Sequence, residues 1–161
     1  MAEDLKITQG FSRAETYKEI IPQIRALIAD ESDFIANLAN IAAVLKEALK
    51  FFWIGFYLVK GDELVLGPFQ GTVACTRIQK GKGVCGTAWQ DEKTIIVPDV
   101  NQFPGHIACS SLSKSEIVLP AFKDQKVHFI LDVDSDELDD FSEIDENYLS
   151  EIIKIVEEAI A

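Results

Sequence analysis

Apolar residues recur at helical spacing in two stretches before residue 50 and in a third at the C-terminus. Ser12 and Glu15 have the spacing of a capping box and predict a helix to about residue 28, which Pro22 should kink or interrupt. A capping signal at Ser142 predicts a terminal amphipathic helix to about residue 160. Ser32 is the expected N-cap of the second helix, whose apolar positions are Phe34, Leu38, Ile41, Leu45 and Leu49.

Between these helices the pattern changes to short runs rich in β-branched and aromatic residues, separated by turn residues. Hairpin turns are expected at 60–62 and 124–125. A group of glycines around residue 83 precedes a short helix predicted at about 87–91. The predicted strands are 53–59, 63–66, 72–78, 94–97, 116–122 and 126–133.

This order of elements predicts an α+β fold, in which an antiparallel sheet is flanked by N-terminal and C-terminal helices. We expect a single domain over residues 1–161, because no repeat or linker divides the chain, with residues 1–11 loosely ordered. Residues 99–114 are predicted to form a long irregular loop with one helical turn. A loop of that length is uncommon in a compact domain unless it has a function, and this one contains Cys109.

Composition narrows the functional classes. Apolar residues make up 48% and charged residues 26% of the chain, as in globular proteins with a packed core. The formal charge of −12 disfavours nucleic acid or an anionic membrane as a partner. The sequence has neither an apolar run long enough to span a bilayer nor a secretory signal at its N-terminus, so a cytoplasmic location is expected.

Three cysteines, Cys75, Cys85 and Cys109, are the first candidates for chemistry. An odd number in a cytoplasmic chain argues against a structural disulfide framework, and without a C-x-x-C pair no closed zinc site is expected. Cys109 lies in the long loop, Cys85 lies among glycines, and Cys75 lies on a predicted strand. Two of them within disulfide reach would make an attacking and a resolving thiol. The alternative is three buried, inert thiols.

Acidic residues on the last two predicted strands form a second candidate site. Asp132 and Asp134 are two residues apart, so their side chains should share one face of a strand. Glu116 begins the preceding strand, and pairing of the two strands would add its carboxylate. Such a cluster suits an ammonium ion or a metal, and crowding should raise at least one pKa. The alternative is a solvated strand end that leads into an acidic loop.

Two aromatic residues, Trp53 and Tyr57, share one face of the first predicted strand with Gly55. Gly55 would leave a gap between the rings that could accept a small apolar group. The alternative is that both rings are ordinary core residues. The two histidines, His106 and His128, are expected to be ordinary hydrogen-bonded residues, and no role is assigned to them.

Taken together, these residues resemble the free methionine-(R)-sulfoxide reductases, which are built on a GAF-type fold. The resemblance extends over residues 53–135 and the helices on either side, and its three-cysteine spacing with a G-H-I-A-C loop differs from generic GAF domains. One departure is Phe129, where the family commonly has glycine, and it concerns local packing rather than the carboxylate positions. The matching segments are FFWIGFYLVKGDELVLGPFQG, ACTRIQKGKGVCGTAW, VPDVNQFPGHIACSSLSKSEIVLP and ILDVDS.

The resemblance implies reduction of free methionine (R)-sulfoxide without a metal or organic cofactor. Cys109 would be the attacking thiol, Cys75 the usual resolving thiol, and Cys85 a third thiol that can also pair with Cys109. A neutral carboxylic acid, Glu116 or Asp134, would protonate the leaving oxygen. The resulting sulfenic acid would condense to a disulfide, with thioredoxin as the expected reductant.

The resemblance also implies the residues that bind the substrate. Trp53 and Tyr57 would surround the methyl group, while the carboxylates of Glu116, Asp132 and Asp134 would hold the ligand and polarise the sulfoxide. The substrate carboxylate would meet backbone N–H groups in the loop before Glu116. A site that binds a free ammonium group rejects peptide-bound residues, which lack one. Family members are often homodimers.

Three other functions stay open from the sequence. The chain could be a ligand-sensing GAF module without catalysis, or a redox switch in which the disulfide itself is the signal. It could also be a plain interaction domain with inert thiols.

Overall fold

The computed structural model describes residues 4–161, in which four α-helices, six β-strands and a 3₁₀ turn at Val100–Gln102 are formed. None of the helices in this range is both long and apolar enough to cross a membrane. In chain order the elements are α1 (Arg13–Ile28), α2 (Phe34–Leu49), β1 (Trp53–Lys60), β2 (Glu63–Gln70), β3 (Arg77–Gln79), α3 (Gly83–Asp91), β4 (Ile95–Val97), β5 (Ser115–Lys123), β6 (Lys126–Ser135) and α4 (Glu143–Ile160).

The strands form one antiparallel sheet in the order β3-β2-β1-β6-β5-β4. The hairpins β1–β2 and β5–β6 meet at the centre, where β1 pairs with β6. Residues of α1, α2 and α4 pack on one face of the sheet, and residues of α3 pack on the other. The predicted α+β class and the helix-flanked antiparallel sheet are confirmed.

Side-chain caps determine where the long helices begin. Ser12 and Ser142 begin α1 and α4 with the predicted capping boxes. The N-cap of α2 is Asp33 rather than the predicted Ser32, because the Asp33 carboxylate accepts a hydrogen bond of 2.8 Å from the backbone N–H of Ala36.

The first helix runs continuously through Pro22, so the predicted interruption does not occur. Proline removes one backbone donor from a helix and crowds the preceding turn. The buried residues Tyr17, Ile20 and Ile24 lie on both sides of Pro22 and pack into the large core. This packing stabilises the helical backbone across the proline.

Two strands differ in length from the sequence prediction. β2 continues to Gln70, four residues beyond its expected end, because β1 pairs with it up to Ile54. The strand expected at 72–78 contracts to the three residues of β3, and residues 71–76 form an irregular segment. Cys75 therefore lies in a loop rather than on a strand.

The short helix α3 begins at Gly83, four residues earlier than predicted, and this places Cys85 in its first turn. Gly86 lets α3 lie directly on the end of β3. A Cβ atom at Gly86 would come within 2.4 Å of the backbone oxygen of Gln79. Only glycine permits this approach.

Gly86→Ala is therefore expected to lower the free energy of unfolding by about 3 kcal/mol, because the opposing atom is backbone and cannot rotate away. Urea unfolding followed by circular dichroism measures the change. Gly10→Ala is the control, since no atom lies within 4 Å of its added Cβ. That control should cost only the ~1 kcal/mol of its left-handed backbone. Equal losses from the two substitutions would contradict the steric argument.

Alternate residues of β1 point to opposite faces of the sheet. Ile54 and Phe56 enter the large core formed with α1, α2 and α4. Trp53 and Tyr57 enter the smaller cluster under α3. Polar residues of the neighbouring strand that lie opposite Trp53 therefore also face the side covered by α3.

The segment before α1 contains neither helix nor strand over residues 4–11, but it is tied to α1 by hydrogen bonds. Glu19 accepts bonds of 2.8 and 2.6 Å from the backbone N–H and the hydroxyl of Thr8, and Gln23 accepts one of 2.8 Å from the N–H of Lys6. This segment is held more closely than the loose order predicted for residues 1–11, of which residues 1–3 lie outside the described range. The single domain over 1–161 stays a prediction.

Candidate active site

Three carboxyl groups lie side by side on the sheet face under α3. Glu116 of β5 pairs with Asp134 of β6, and Asp134 in turn pairs with Trp53 of β1. Asp132 lies two residues along β6, opposite Gly55. Strand alternation therefore brings the three predicted carboxyl groups to one cavity, which all of them line.

Burial determines how these groups titrate. It raises the pKa of Asp132 from 3.8 to about 6, while the neighbouring side chains of Glu116 and Cys85 lower it in part. Burial also raises the pKa of Glu116 and of Asp134 well above the usual carboxyl range, and the charge of Asp132 raises both further. Asp132 is therefore the member of the cluster that ionises most readily, while burial and its charge favour the protonated forms of Glu116 and Asp134.

One oxygen atom of the cluster is left without a partner. Asp132 Oδ1 is buried and accepts no hydrogen bond from any residue in 4–161. Asp134, by contrast, accepts a hydrogen bond from the hydroxyl of Ser113, and Cys85 Sγ lies 3.9 Å from Glu116 Oε1. A buried unpaired carboxylate oxygen is costly unless a ligand satisfies it. The geometry thus leaves an acceptor for a cationic donor at Asp132.

Cys85, Glu116 and Asp132 are the residues that could hold a metal ion. One donor atom from each lies within 4.8 Å of the other two. Sulfur and carboxylate oxygen are donors that zinc accepts, and the same oxygens suit an ammonium group. The expectation that no metal is bound stays a prediction.

Cys75 and Cys109 form a disulfide beside this cavity, with their Cα atoms 5.3 Å apart across a sequence separation of 34 residues. Both residues are half-buried, and Cys109 lines the cavity. Two of the three cysteines therefore lie within disulfide reach, which the sequence had left open.

Cys85 is a free, buried thiol in the first turn of α3. Burial raises its pKa well above 9, and the charges of Asp132 and Glu116 raise it further. The thiolate is the nucleophilic form of cysteine, so Cys85 is a weak nucleophile at neutral pH.

Trp53 and Tyr57 both line the cavity, and their rings stack with centroids 6.2 Å apart. The polar end of each ring reaches the irregular segment 71–76. Trp53 Nε1–H donates a hydrogen bond of 2.9 Å to the backbone oxygen of Thr72, and the Tyr57 hydroxyl donates one of 2.9 Å to that of Cys75. The aromatic wall of the cavity is therefore bonded to the segment that contains one cysteine of the disulfide.

The gap expected over Gly55 is filled. A Cβ atom at Gly55 would come within 2.4 Å of Trp53 Cη2 and 2.5 Å of Phe69 Cβ. The indole of Trp53 lies over the glycine and stacks on the ring of Phe69, with centroids 5.4 Å apart. The interpretation of Gly55 as an open apolar pocket is wrong, and the glycine instead provides room for the indole.

Two polar residues of the site, His106 and Ser113, were not predicted from the sequence. His106 lines the cavity with Nε2 3.9 Å from Glu116 Oε2, and burial lowers its pKa. Ser113 donates to Asp134. Both residues belong to the same long loop as Cys109, and this shared loop is the signal that could have drawn attention to them.

The cavity opens to solvent, and together with its opening it encloses about 560 Å³. One wall is acidic and a second is formed by Trp53 and Tyr57, while the N-terminus of α3 and Cys109 are also part of the lining. Such a site can hold a small amphiphilic cation and present a thiol and an acidic proton to it.

The sheet order and this cavity define a GAF-domain protein, and the GAF domain family matches residues 29–161. The free methionine-R-sulfoxide reductase of Escherichia coli is 43% identical, over 93% of this chain and 92% of that protein. The enzyme of the same name from Saccharomyces cerevisiae is 37% identical, over 96% and 91%. The structure of the Neisseria meningitidis free methionine-R-sulfoxide reductase in complex with its substrate is 53% identical, with a TM-score of 0.95 over 99% of this chain and 95% of that chain. This chain therefore belongs to the free methionine-R-sulfoxide reductase family, and the predicted resemblance is confirmed.

Proposed function

We propose that this protein reduces free L-methionine (R)-S-oxide to methionine, with Cys109 as the attacking thiol and a disulfide as intermediate. The observation that carries the proposal is the Cys75–Cys109 disulfide beside a cavity walled by three carboxyl groups. Sulfoxide reduction needs a thiol pair and a proton donor, and this site has both. The similarity to proteins named for this activity supports the same assignment.

The first step takes place between Cys109 and the sulfoxide sulfur. Cys109 lines the cavity, so its thiolate is placed to attack a bound ligand. The sulfoxide oxygen must accept a proton to leave the sulfur, and the raised pKa values of Glu116 and Asp134 make either one a donor. In net terms the oxygen passes to Cys109. The sulfoxide is reduced to methionine and the thiol is oxidised to a sulfenic acid.

The second step converts the sulfenic acid of Cys109 into a disulfide that a reductant can reduce. The thiol of Cys75 attacks the sulfenic sulfur of Cys109, a disulfide forms, and the oxygen leaves as water. Cys75 suits this role better than Cys85, whose burial and raised pKa keep it protonated. A dithiol reductant, for which thioredoxin is the expected candidate, would then return both cysteines to thiols and take up the disulfide.

Selection of the free amino acid is ascribed to Asp132. Its buried Oδ1 is unpartnered within residues 4–161, and a substrate ammonium group would satisfy it. A peptide-bound methionine sulfoxide offers a neutral amide there and would leave the charge unpaired. Trp53 and Tyr57 supply an apolar wall for the methyl group. The substrate carboxylate is placed at the loop before Glu116 or at the N-terminus of α3, which also faces the cavity.

The proposal is tested by a thioredoxin-coupled assay with free R, free S and peptide-bound methionine sulfoxide. Turnover is expected with the free R epimer, and the other two substrates should react at least about 100-fold more slowly. Methionine release is quantified alongside reductant consumption, so that direct oxidation of the reductant is not counted. Equal rates with the peptide-bound substrate would contradict the proposed ammonium subsite.

The same assay separates the proposal from its rivals. A sensing GAF module would bind the sulfoxide without releasing methionine. A redox switch would form the disulfide with peroxide but would leave methionine sulfoxide unchanged. An interaction domain with inert thiols would do neither. The cytoplasmic location, the homodimer and the dependence on thioredoxin stay predictions.

A further inference from the structure

The segment 71–76, which contains Cys75, is held by few backbone hydrogen bonds and is largely exposed. It leaves the sheet after β2, and Val73 at its middle is 86% exposed. One backbone hydrogen bond, from the N–H of Leu66 to the oxygen of Thr76, fixes its far end at 2.9 Å. Burial and backbone pairing therefore do little to determine where the Cys75 thiol lies.

Side chains of β1 supply the missing support. The Trp53 indole N–H and the Tyr57 hydroxyl bond the backbone oxygens of Thr72 and Cys75, each at 2.9 Å. Trp53 is 4% and Tyr57 1% exposed, and both extend from the sheet, so the donors are rigidly held. A Cβ atom at Gly71 would come within 2.5 Å of Trp53 Cδ1, which shows how closely the segment follows the indole.

We propose that the Trp53 N–H and the Tyr57 hydroxyl are positioning groups that hold segment 71–76 so that Cys75 lies within bonding reach of Cys109. This inference rests on the proposed function, because it takes Cys75 as the resolving thiol. It gives the two aromatic residues a task beyond lining the cavity. Without the two bonds, the segment would sample more conformations before each disulfide closure, and the effective concentration of one thiol at the other would fall.

The test compares Tyr57→Phe with its parent in a Cys85→Ser background, where two cysteines remain. The substitution keeps the ring and removes the hydroxyl that bonds the Cys75 oxygen. Each chain is equilibrated with oxidised and reduced glutathione. In this exchange two protein thiols become a disulfide as one oxidised glutathione becomes two reduced molecules. The effective concentration of the Cys75–Cys109 pair is expected to fall about fivefold in Tyr57→Phe, the loss typical of one hydrogen bond.

Tyr148→Phe in the same background is the matched control, because Tyr148 lies on α4, which packs on the opposite face of the sheet. It should change the effective concentration by less than about 1.5-fold. Tyr57→Phe equal to its parent, or a fall of the same size in both variants, would overturn the inference. Circular dichroism and the unfolding midpoint of each chain show whether the comparison is made between folded proteins.

A second readout follows the step after methionine release. In single turnover, a sulfenic-acid trap competes with Cys75 for oxidised Cys109. The ratio of trapped Cys109 to disulfide is expected to rise about fivefold in Tyr57→Phe, whatever the rate of release. A ratio equal to the parent's would overturn the inference. If no chain releases methionine, the proposed function fails, whereas the glutathione equilibrium still decides whether Tyr57 positions Cys75.

Discussion

Replacing the Cys109 thiol with a hydroxyl should remove turnover. Cys109→Ser is expected to lower kcat with free methionine (R)-sulfoxide by about three orders of magnitude or more. A serine hydroxyl is a far weaker nucleophile than a thiolate. Serine also has no sulfur atom that could take up the sulfoxide oxygen as a sulfenic acid. The thioredoxin-coupled assay measures the loss. Circular dichroism should show a folded chain, since Cys109 is half-buried in a loop.

Cys75→Ser is the matched comparison, because it removes the other half of the same disulfide. That chain should release about one equivalent of methionine per protein in single turnover and then stop with Cys109 oxidised. The pair of variants separates attack from resolution. Near-normal turnover by Cys109→Ser, or a full first turnover by it, would remove Cys109 from its proposed role.

Part of the carboxyl cluster could be predicted from the sequence, because Asp132 and Asp134 share a face by the two-residue repeat of a strand. The repeat is a local rule, and it holds whatever packs above the strands. The capping boxes of α1 and α4 were predictable for the same reason. The position of Glu116 also depends on a one-residue register shift between Ala121 and Phe122. Without that shift, the turn between β5 and β6 would place Glu116 opposite Val133 rather than Asp134.

The segment around Cys75 could not be predicted in this way. Residues 72–78 have the composition of a strand, but only β3 pairs with β2. Bonds from the Trp53 and Tyr57 side chains occupy the oxygens of Thr72 and Cys75 instead. Strand propensity reflects only the residues of the segment itself, whereas the donors on Trp53 and Tyr57 lie about 20 residues earlier in the sequence.

The surroundings of Gly55 and His106 show the same limit. Which ring fills the space over a glycine depends on the rotamer of Trp53 and on its stacking against Phe69, and these are properties of the packed structure. His106 lies near Glu116 only because the long loop folds back over β5. A lone histidine in a loop has no periodicity that would have indicated this position.

Asp132→Asn is expected to lower activity and to raise the stability of the fold. The amide cannot supply the negative charge that the ammonium group requires, so kcat/KM for free methionine (R)-sulfoxide is expected to fall about 100-fold. N-acetylmethionine sulfoxide lacks the ammonium group, and its kcat/KM should change much less. The readout is the ratio of kcat/KM for the free sulfoxide to kcat/KM for the N-acetylated one. An unchanged ratio would show that Asp132 does not bind the ammonium group.

Stability should change in the opposite direction. The pKa of Asp132 is about 6 in the folded protein against an ordinary 3.8, so the folded state binds its proton more tightly than the unfolded chain does. The stabilisation from that proton is complete below pH ~3.8 and is lost as the pH rises through about 6. Asparagine cannot ionise and escapes this loss, so Asp132→Asn should melt about 5 °C above the parent at pH 7.5.

The difference in Tm should narrow to about half at pH 5, where the folded parent is largely protonated at Asp132. Asp136→Asn, at an exposed position on the same segment, is the control and should shift Tm by less than about 1 °C at either pH. A parent that melts above Asp132→Asn at pH 7.5 would mean that the buried charge is already compensated inside the protein. The unpartnered oxygen would then have no need of a ligand, and selection for the free amino acid would have to come from another part of the cavity.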